Sequence, residues 1–354
     1  MKHLALVTAG MLAATSGAYA GGVERSAQSV AILFEQGRYV ELSFGHFSPD
    51  VSGTVGGGAV SSGNMAPSYN SWSLGYKMDI GEALDFAMII DEPIGADVAY
   101  PGALGLGSYP LAGSTADLRS SAVTGILRYK FENNVSVIGG LRYETVKGDV
   151  ALSSGYRMST NYDSEIGYLV GIAWEKPEIA ARVALTYNSA ITHNLESLEQ
   201  GVVPGTFETE VPQSLNLEFQ TGIAKDTLLF GSVRWVDWSA FVIDPPNYPL
   251  PIPLVSYPED RITYNLGIGR RFNETWSGAV TLGYEPSDGQ ITGNLGPTDG
   301  FKSIGLAATY TMDNLKITGG VRYVDIGDAT TNVVGGSFTD NSGVGVGIRI
   351  GYTF

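Results

Sequence analysis

Residues 343–354 read GVGVGIRIGYTF. Side chains of an extended chain alternate between two faces, so Val344, Val346, Ile348, Ile350, Tyr352 and Phe354 share one side of this ribbon. Gly343, Gly345, Gly347, Arg349, Gly351 and Thr353 share the other. One face is wholly apolar and ends in two aromatics; the other holds little besides glycine and one arginine. A water-soluble sheet turns its apolar face to a core and its polar face to water. The pattern here fits a strand with lipid outside, a lumen inside and an aromatic girdle where it leaves the bilayer. For this stretch alone an ordinary edge strand is an open alternative, and it weakens as the pattern recurs upstream. Trp276, Gly278, Val280, Leu282 and Tyr284 share a face, and Val137, Leu141 and Tyr143 lie opposite Ser136, Arg142 and Glu144.

Alternation of this kind marks about fourteen strands of the length that a tilted membrane strand requires, roughly nine to eleven residues. An even number is what a single-chain bacterial barrel needs. The connections sort by parity. Those at 81–83, 132–134, 175–179, 225–227, 273–275 and 312–314 are short and polar. Those at 47–71, 92–120, 146–165, 189–213, 239–261, 285–302 and 325–342 are long. Short periplasmic turns alternating with long extracellular loops are the mark of an outer-membrane barrel, and a soluble sandwich has no reason to sort its loops in this way. The fold expected is an all-β transmembrane antiparallel barrel occupying 39–354. In the ninth strand the parity breaks between Trp235 and Trp238, which predicts a β-bulge near Val236 and Asp237.

The start of the chain sets the compartment. Lys2 and His3 precede an apolar run, and Ala18, Tyr19 and Ala20 form an A-x-A cleavage site, so 1–20 reads as a signal peptide. Its removal leaves 334 residues and takes the formal charge from −15 to −16, since Lys2 goes with it. That acidity argues against nucleic acid as a partner. The absence of cysteine leaves no disulfides to staple an exported chain. No later run is long and apolar enough to cross a membrane as a helix. With 47 Gly, 19 Tyr and 16% charged residues, the composition fits β structure with many tight turns.

Between the cleavage site and the first strand, 21–38 carries Val23, Ala27, Val30 and Phe34 at helical spacing, with Gly37 to end a helix. This short helical hatch is either a plug in the lumen or a periplasmic tail. The apolar content of 30–34, poorly placed in water, favours the plug.

Taken in order, several stretches resemble the FadL family of outer-membrane channels for long-chain fatty acids and other hydrophobic compounds, including its TodX-type aromatic transporters. Ser48, Pro49, Asp50 and Val51 are similar to the family's Asp-Pro-Asp-Val segment. Glu210, Val211 and Pro212 lead into the eighth strand as the family's Leu-Pro does. Trp235 through Phe241, read WVDWSAF, resembles the family's Ser-Trp-Ser-x-Phe. The family's Asn-Pro-Ala motif before the first strand is absent, and the basic residues that hold the carboxylate in well-known members do not fall on basic positions here. The resemblance implies a monomer, assembled by the barrel assembly machinery among outer-membrane lipid, with a hatch and a kinked third strand through which ligand leaves sideways. In LDFAMIIDEPIGADVAYP, Pro93 cannot donate to a ladder and Gly95 adds a flexible point, so the two are the candidate lateral gate. A plain strand end at Pro93 is the alternative.

The candidate ligand-binding residues follow from chemistry. Parity puts Arg128, Arg142, Arg182, Arg322 and Arg349 in the lumen, where an arginine fork holds a carboxylate well. Most are expected to pair with lumen acids such as Glu41, Asp85 or Glu144; Arg142, Arg322 and Arg349 are the candidates for ligand, with Phe34 from the hatch. The loop 241–260 holds six prolines together with Tyr248, Leu250, Ile252 and Leu254. Such a surface either captures a hydrophobic molecule or packs to close the barrel mouth; the apolar stretch 99–111 offers the same choice. Catalysis is not expected: two histidines, His46 and His193, remain after cleavage, and Ser189 with His193 is the one pair that resembles a barrel phospholipase. No cofactor or metal is called for. The expected function is a passive outer-membrane channel for hydrophobic molecules, long-chain fatty acids foremost, with capture by loops and exit near the third strand. A general diffusion porin for small polar solutes and a structural or adhesion barrel are the alternatives.

Overall fold

The computed structural model describes residues 22–354, so the expected signal peptide lies outside the described residues. Fourteen strands form the wall: β1 (Tyr39–Asp50), β2 (Tyr69–Ile80), β3 (Leu84–Asp91), β4 (Thr115–Lys130), β5 (Val135–Ala151), β6 (Asp163–Lys176), β7 (Ala181–Asn188), β8 (Ser214–Ala224), β9 (Thr227–Val236), β10 (Arg261–Arg271), β11 (Trp276–Glu285), β12 (Phe301–Met312), β13 (Leu315–Ile326) and β14 (Asn341–Thr353). Each pairs antiparallel with the next. The closing strand β14 pairs with β1 along its length, from Tyr39↔Thr353 to Asp50↔Ser342, so the barrel is closed. Closure pairs the first strand with the last and leaves no free terminal edge, the condition for crossing a bilayer with strands.

The period-2 reading survives in the side chains. Val280, Leu282, Val344, Val346 and Ile348 face outward and exposed, whereas Ser136, Arg142, Glu144, Ser277 and Arg349 are buried in the lumen. Two rings of outward aromatics bracket the apolar band. At the short-turn end Tyr129 meets Phe131, Trp276 meets Tyr310 and Tyr352 meets Phe354; at the long-loop end Tyr168 meets Tyr187 and Tyr264 meets Tyr284. Amphipathic rings settle at lipid–water boundaries, so the rings mark where the strands leave the membrane. Glycines of the closing strand make room for large lumen residues. A Cβ on Gly343 would overlap the Phe47 ring, and one on Gly351 would overlap Tyr39.

Much of what reads as loop is sheet. The 189–213 connection folds into a hairpin, Ile191–Glu199 against Val203–Val211, that rises above the wall. Its outward positions, among them Thr192, Asn194 and Glu196, are polar and exposed, so it stands outside the apolar band. Five short strands, including Gly53–Val55 and Ser337–Phe338, make a small sheet over the mouth, sealed by a cluster around Phe47, Tyr100, Tyr109 and Phe338.

Two expectations are corrected. The β8–β9 ladder shifts register between Gly222 and Ala224, at its short-turn end, and runs in register from Gly222↔Leu228 to Ser214↔Val236 with no bulge near Val236; β9 then ends, and a 3-10 turn, Trp238–Ala240, carries Trp238 inward against Phe241 and Tyr257. The parity broke because the strand stopped. Nor is 21–38 helical among the described residues: one 3-10 turn, Ala31–Phe34, is all that forms. The segment lies inside the lumen, where backbone and side chains of the wall satisfy its polar groups and burial outweighs helical spacing.

Candidate functional site

The site begins at a break in the wall. β2 and β3 pair from Ile80↔Leu84 to Leu74↔Ile90 and no further, although β2 runs on to Tyr69 against β1. Past Asp91 the chain crosses Glu92 and Pro93 and resumes as the strand Gly95–Ala99, which pairs with β4. The plug stands in for β2 on this detached stretch. Gly95 donates to the Val23 carbonyl at 2.7 Å, and the Arg25 and Ser26 amides donate to the Pro93 carbonyl at 2.8 and 3.2 Å. Proline has no N–H to lose, so its place at the break leaves no orphan donor. Pro93 and Gly95 thus sit at a seam where strand pairing is replaced by the plug.

A cavity of about 190 Å³ lies beside the plug and reaches that seam. One lip is Ser71, Trp72 and Ser73 of β2 with Phe44 of β1; the other is Asp91 and Glu92. Trp72 and Phe44 are outward-facing and exposed, so at this lip the lining reaches the wall itself. Its inner wall has two characters. Ile32, Ile89, Ile126 and Leu169 form an apolar side; Arg142, Arg234, Arg322, Arg349, Asn216 and Glu218 form a polar one.

The candidate arginines differ in how they are partnered. Arg349 lies 3.7 Å from Glu41 and donates to Ser43 at 3.1 Å. Arg322 donates to Ser303 at 3.0 and 2.8 Å. Arg142 donates to Thr124 at 3.1 Å and Asn188 at 3.4 Å and makes no salt bridge among the described residues. All three line the cavity. Of the acids expected to neutralise them, Glu41 does so, and Asp85 accepts from Lys130 at 2.9 Å and lies 3.7 Å from Arg128. Glu144 is fully buried, and among the described residues neither of its oxygens has a hydrogen-bond partner. Phe34 stands apart from the cavity, its ring under Arg128 and Arg182.

The proline-rich loop is elsewhere. Leu254 is buried and Tyr248 packs beside it, in a cluster with Tyr156, Met158, Leu195 and Phe207. Leu250 and Ile252 remain 40% and 38% exposed, and none of the four lines the cavity. Glu199 ties the loop down, accepting from the Tyr156 hydroxyl at 2.6 Å and the Asn247 side chain at 2.9 Å.

Several residues at the site escaped the sequence reading. Asn216, Glu218 and Arg234 carry the period-2 signal of their strands and were legible by parity. Glu24, Arg25 and Ser26 have no such signal, because the plug has no repeating geometry. Glu24 accepts from Arg234 Nε at 2.7 Å, Ser26 donates to Asp91 at 2.5 Å, and Arg25 pairs with Asp97 while its guanidinium lies 4.1 Å over the Tyr69 ring. Among the described residues no group of three or more His, Asp or Glu is placed to hold a metal ion. His193 meets Asp163 at 2.9 Å, and its buried Nε2 has no hydrogen-bond partner.

A closed fourteen-stranded wall, a plugged lumen and strand pairing that stops short between β2 and β3 describe a barrel whose fold is that of solved FadL-type channels. A Pseudomonas aeruginosa FadL homologue matches over 92% of both chains with a TM-score of 0.74 at 13% identity. The Pseudomonas putida toluene transporter TodX matches over 96% of both at 0.66 and 12%. The Ralstonia pickettii toluene transporter TbuX matches over 91% of this chain and 90% of its own at 0.65 and 14%. No family model and no curated sequence matches the chain. At these identities the likeness is one of fold.

Proposed function

We propose that the protein is a passive outer-membrane channel for hydrophobic molecules carrying an anionic head, long-chain fatty acids foremost. Ligand is caught at the long-loop end, held beside the plug and released sideways between β2 and β3. The observation that carries this reading is the cavity bounded by Ser71–Ser73 on one lip and Asp91 and Glu92 on the other, at the point where strand pairing stops. Its two-sided lining suits an amphiphile: Ile89, Ile126 and Leu169 receive a chain and Arg142, which makes no salt bridge among the described residues, receives a carboxylate. The driving force is removal of apolar area from water, which needs no nucleotide or metal. The solved channels of like architecture include two toluene transporters, which supports an apolar cargo.

The test is uptake of labelled oleate by cells lacking their own fatty-acid channel, with and without this protein, beside a small labelled sugar. Oleate entry without sugar entry is expected. Sugar entry without oleate would favour a diffusion porin, the second reading, for which the polar side of the lumen speaks; entry of neither would remove both.

A further inference from the structure

We propose that Arg128 of β4 and Arg182 of β7 form a second anion site, for a carboxylate or comparable small anion, that Phe34 of the plug covers. The site lies at the short-turn end of the lumen, beyond the cavity described above. The Phe34 ring takes both guanidiniums at once, with the Arg128 carbon 4.2 Å and the Arg182 carbon 4.3 Å from its centroid. An aromatic face is electron-rich, and this double contact is how two cations share a small space around one neutral residue. Their separation is therefore at most about 8.5 Å, the sum of the two distances. A carboxylate held between two guanidiniums by ordinary charge-assisted hydrogen bonds needs about 4 Å from carbon to carbon on each side. Two guanidiniums no farther apart than this are within the span that one carboxylate can bridge, and the Phe34 ring contacts both of them.

The two arginines are not equivalent. Arg128 is already balanced: it pairs with Glu175, lies 3.7 Å from Asp85 and donates to Ser136 at 2.9 Å. Arg182 is 5% exposed, and among the described residues it makes no salt bridge and its buried Nε has no hydrogen-bond partner. The carboxylates that act on it, Glu218 and Glu35, lie beyond ion-pair distance. A buried cation with an idle donor is costly unless something pairs with it, so Arg182 carries the unmet demand for an anion.

The cover is one short strap. Phe34 ends the 3-10 turn Ala31–Phe34, next to Ile32 and Glu35 of the cavity lining, and Gly37, at φ +65°, joins this strap to β1. Withdrawing the strap would open the cavity toward the short-turn end and leave the two guanidiniums facing each other. This site is independent of which molecule the upper cavity takes, since it concerns small anions at the other end of the lumen.

The test uses the purified full-length protein in planar bilayers between unequal KCl solutions, with folding of each variant checked by its heat-dependent electrophoretic shift. Phe34→Ala is expected to raise the chloride-to-potassium permeability ratio above that of the parent, and adding Arg182→Gln is expected to return it. In parallel, octanoate titrated by calorimetry should bind Phe34→Ala and bind Phe34→Ala/Arg182→Gln about tenfold more weakly, the loss of one charged hydrogen-bonding partner. Equal ion selectivity and equal octanoate affinity in the two variants would overturn the proposal, leaving Phe34 as an anchor of the plug. Failure of oleate uptake in cells would leave this result untouched.

Discussion

Glu24 and Arg234 stand 210 residues apart in the chain, and inside the barrel the arginine donates from Nε to the plug carboxylate at 2.7 Å, with both side chains buried. Arg234 also donates to Ser214 at 3.0 Å, so the pair sits in a network that fixes the plug to β8 and β9. Removing one partner of such a pair strands the other. Arg234→Ala is expected to cost about 3–5 kcal/mol, while the double change Glu24→Leu/Arg234→Met is expected to be close to neutral. Unfolding in urea from lipid vesicles, run as a double-mutant cycle, measures both; a double variant as unstable as the single one would show that the pair is not the source of the cost.

Arg142→Ala is expected to weaken fatty-acid binding by about 10- to 150-fold, the worth of a hydrogen-bonded charge, with the barrel intact. The matching methyl ester, which carries no charge, should bind parent and variant alike. Equal losses for acid and ester would place the effect in packing rather than in the guanidinium.

The hairpin above the wall should respond to pH through His193. Burial lowers the pKa of this imidazole below its ordinary value of 6.5, outweighing the hydrogen bond to Asp163 and the charge of Glu165, which raise it. The unfolded hairpin therefore takes up a proton before the folded one does. Its stability is full above about pH 6.5 and declines as the pH falls through that value. Limited proteolysis of the 191–211 hairpin should run faster at pH 5.5 than at pH 7.5, and His193→Leu should flatten the difference; a variant with the same pH response would point to another titrating group.

Val280 lies midway between Trp276 and Tyr284, the two girdle residues of β11, and pairs with Ile268 and Leu306 on the outer face. Arginine at the middle of the apolar band costs about 2–4 kcal/mol and near the boundary about 0–1. Val280→Arg should therefore be much the more damaging, and Tyr284→Arg mild, in equilibrium folding into vesicles. Equal penalties would mean that the aromatic rings do not mark the membrane boundaries.

The residues of β14 show what the amino-acid order determined by itself. A strand buried on one side and bathed in lipid on the other records its two surroundings at alternate positions, so the faces, the number of wall strands and the alternation of short and long connections were all legible. Parity likewise placed Arg142, Arg322 and Arg349 inward. What parity cannot carry is distance across the lumen. Only the tertiary structure decided that Arg349 meets Glu41, that Arg142 and Arg182 form no salt bridge among the described residues, and that Phe34 contacts two guanidiniums, because those partners come from strands far apart in the chain. The plug was misread as a helix for the same reason. Apart from the one turn at 31–34 and two local side-chain contacts, its polar groups are satisfied by the wall and by the chain at Pro93, and a segment held mainly from outside leaves no period to read. At Pro93 the ability to break a ladder was plain from the residue; that the break faces β2, and that the plug fills it, depended on how the barrel closed.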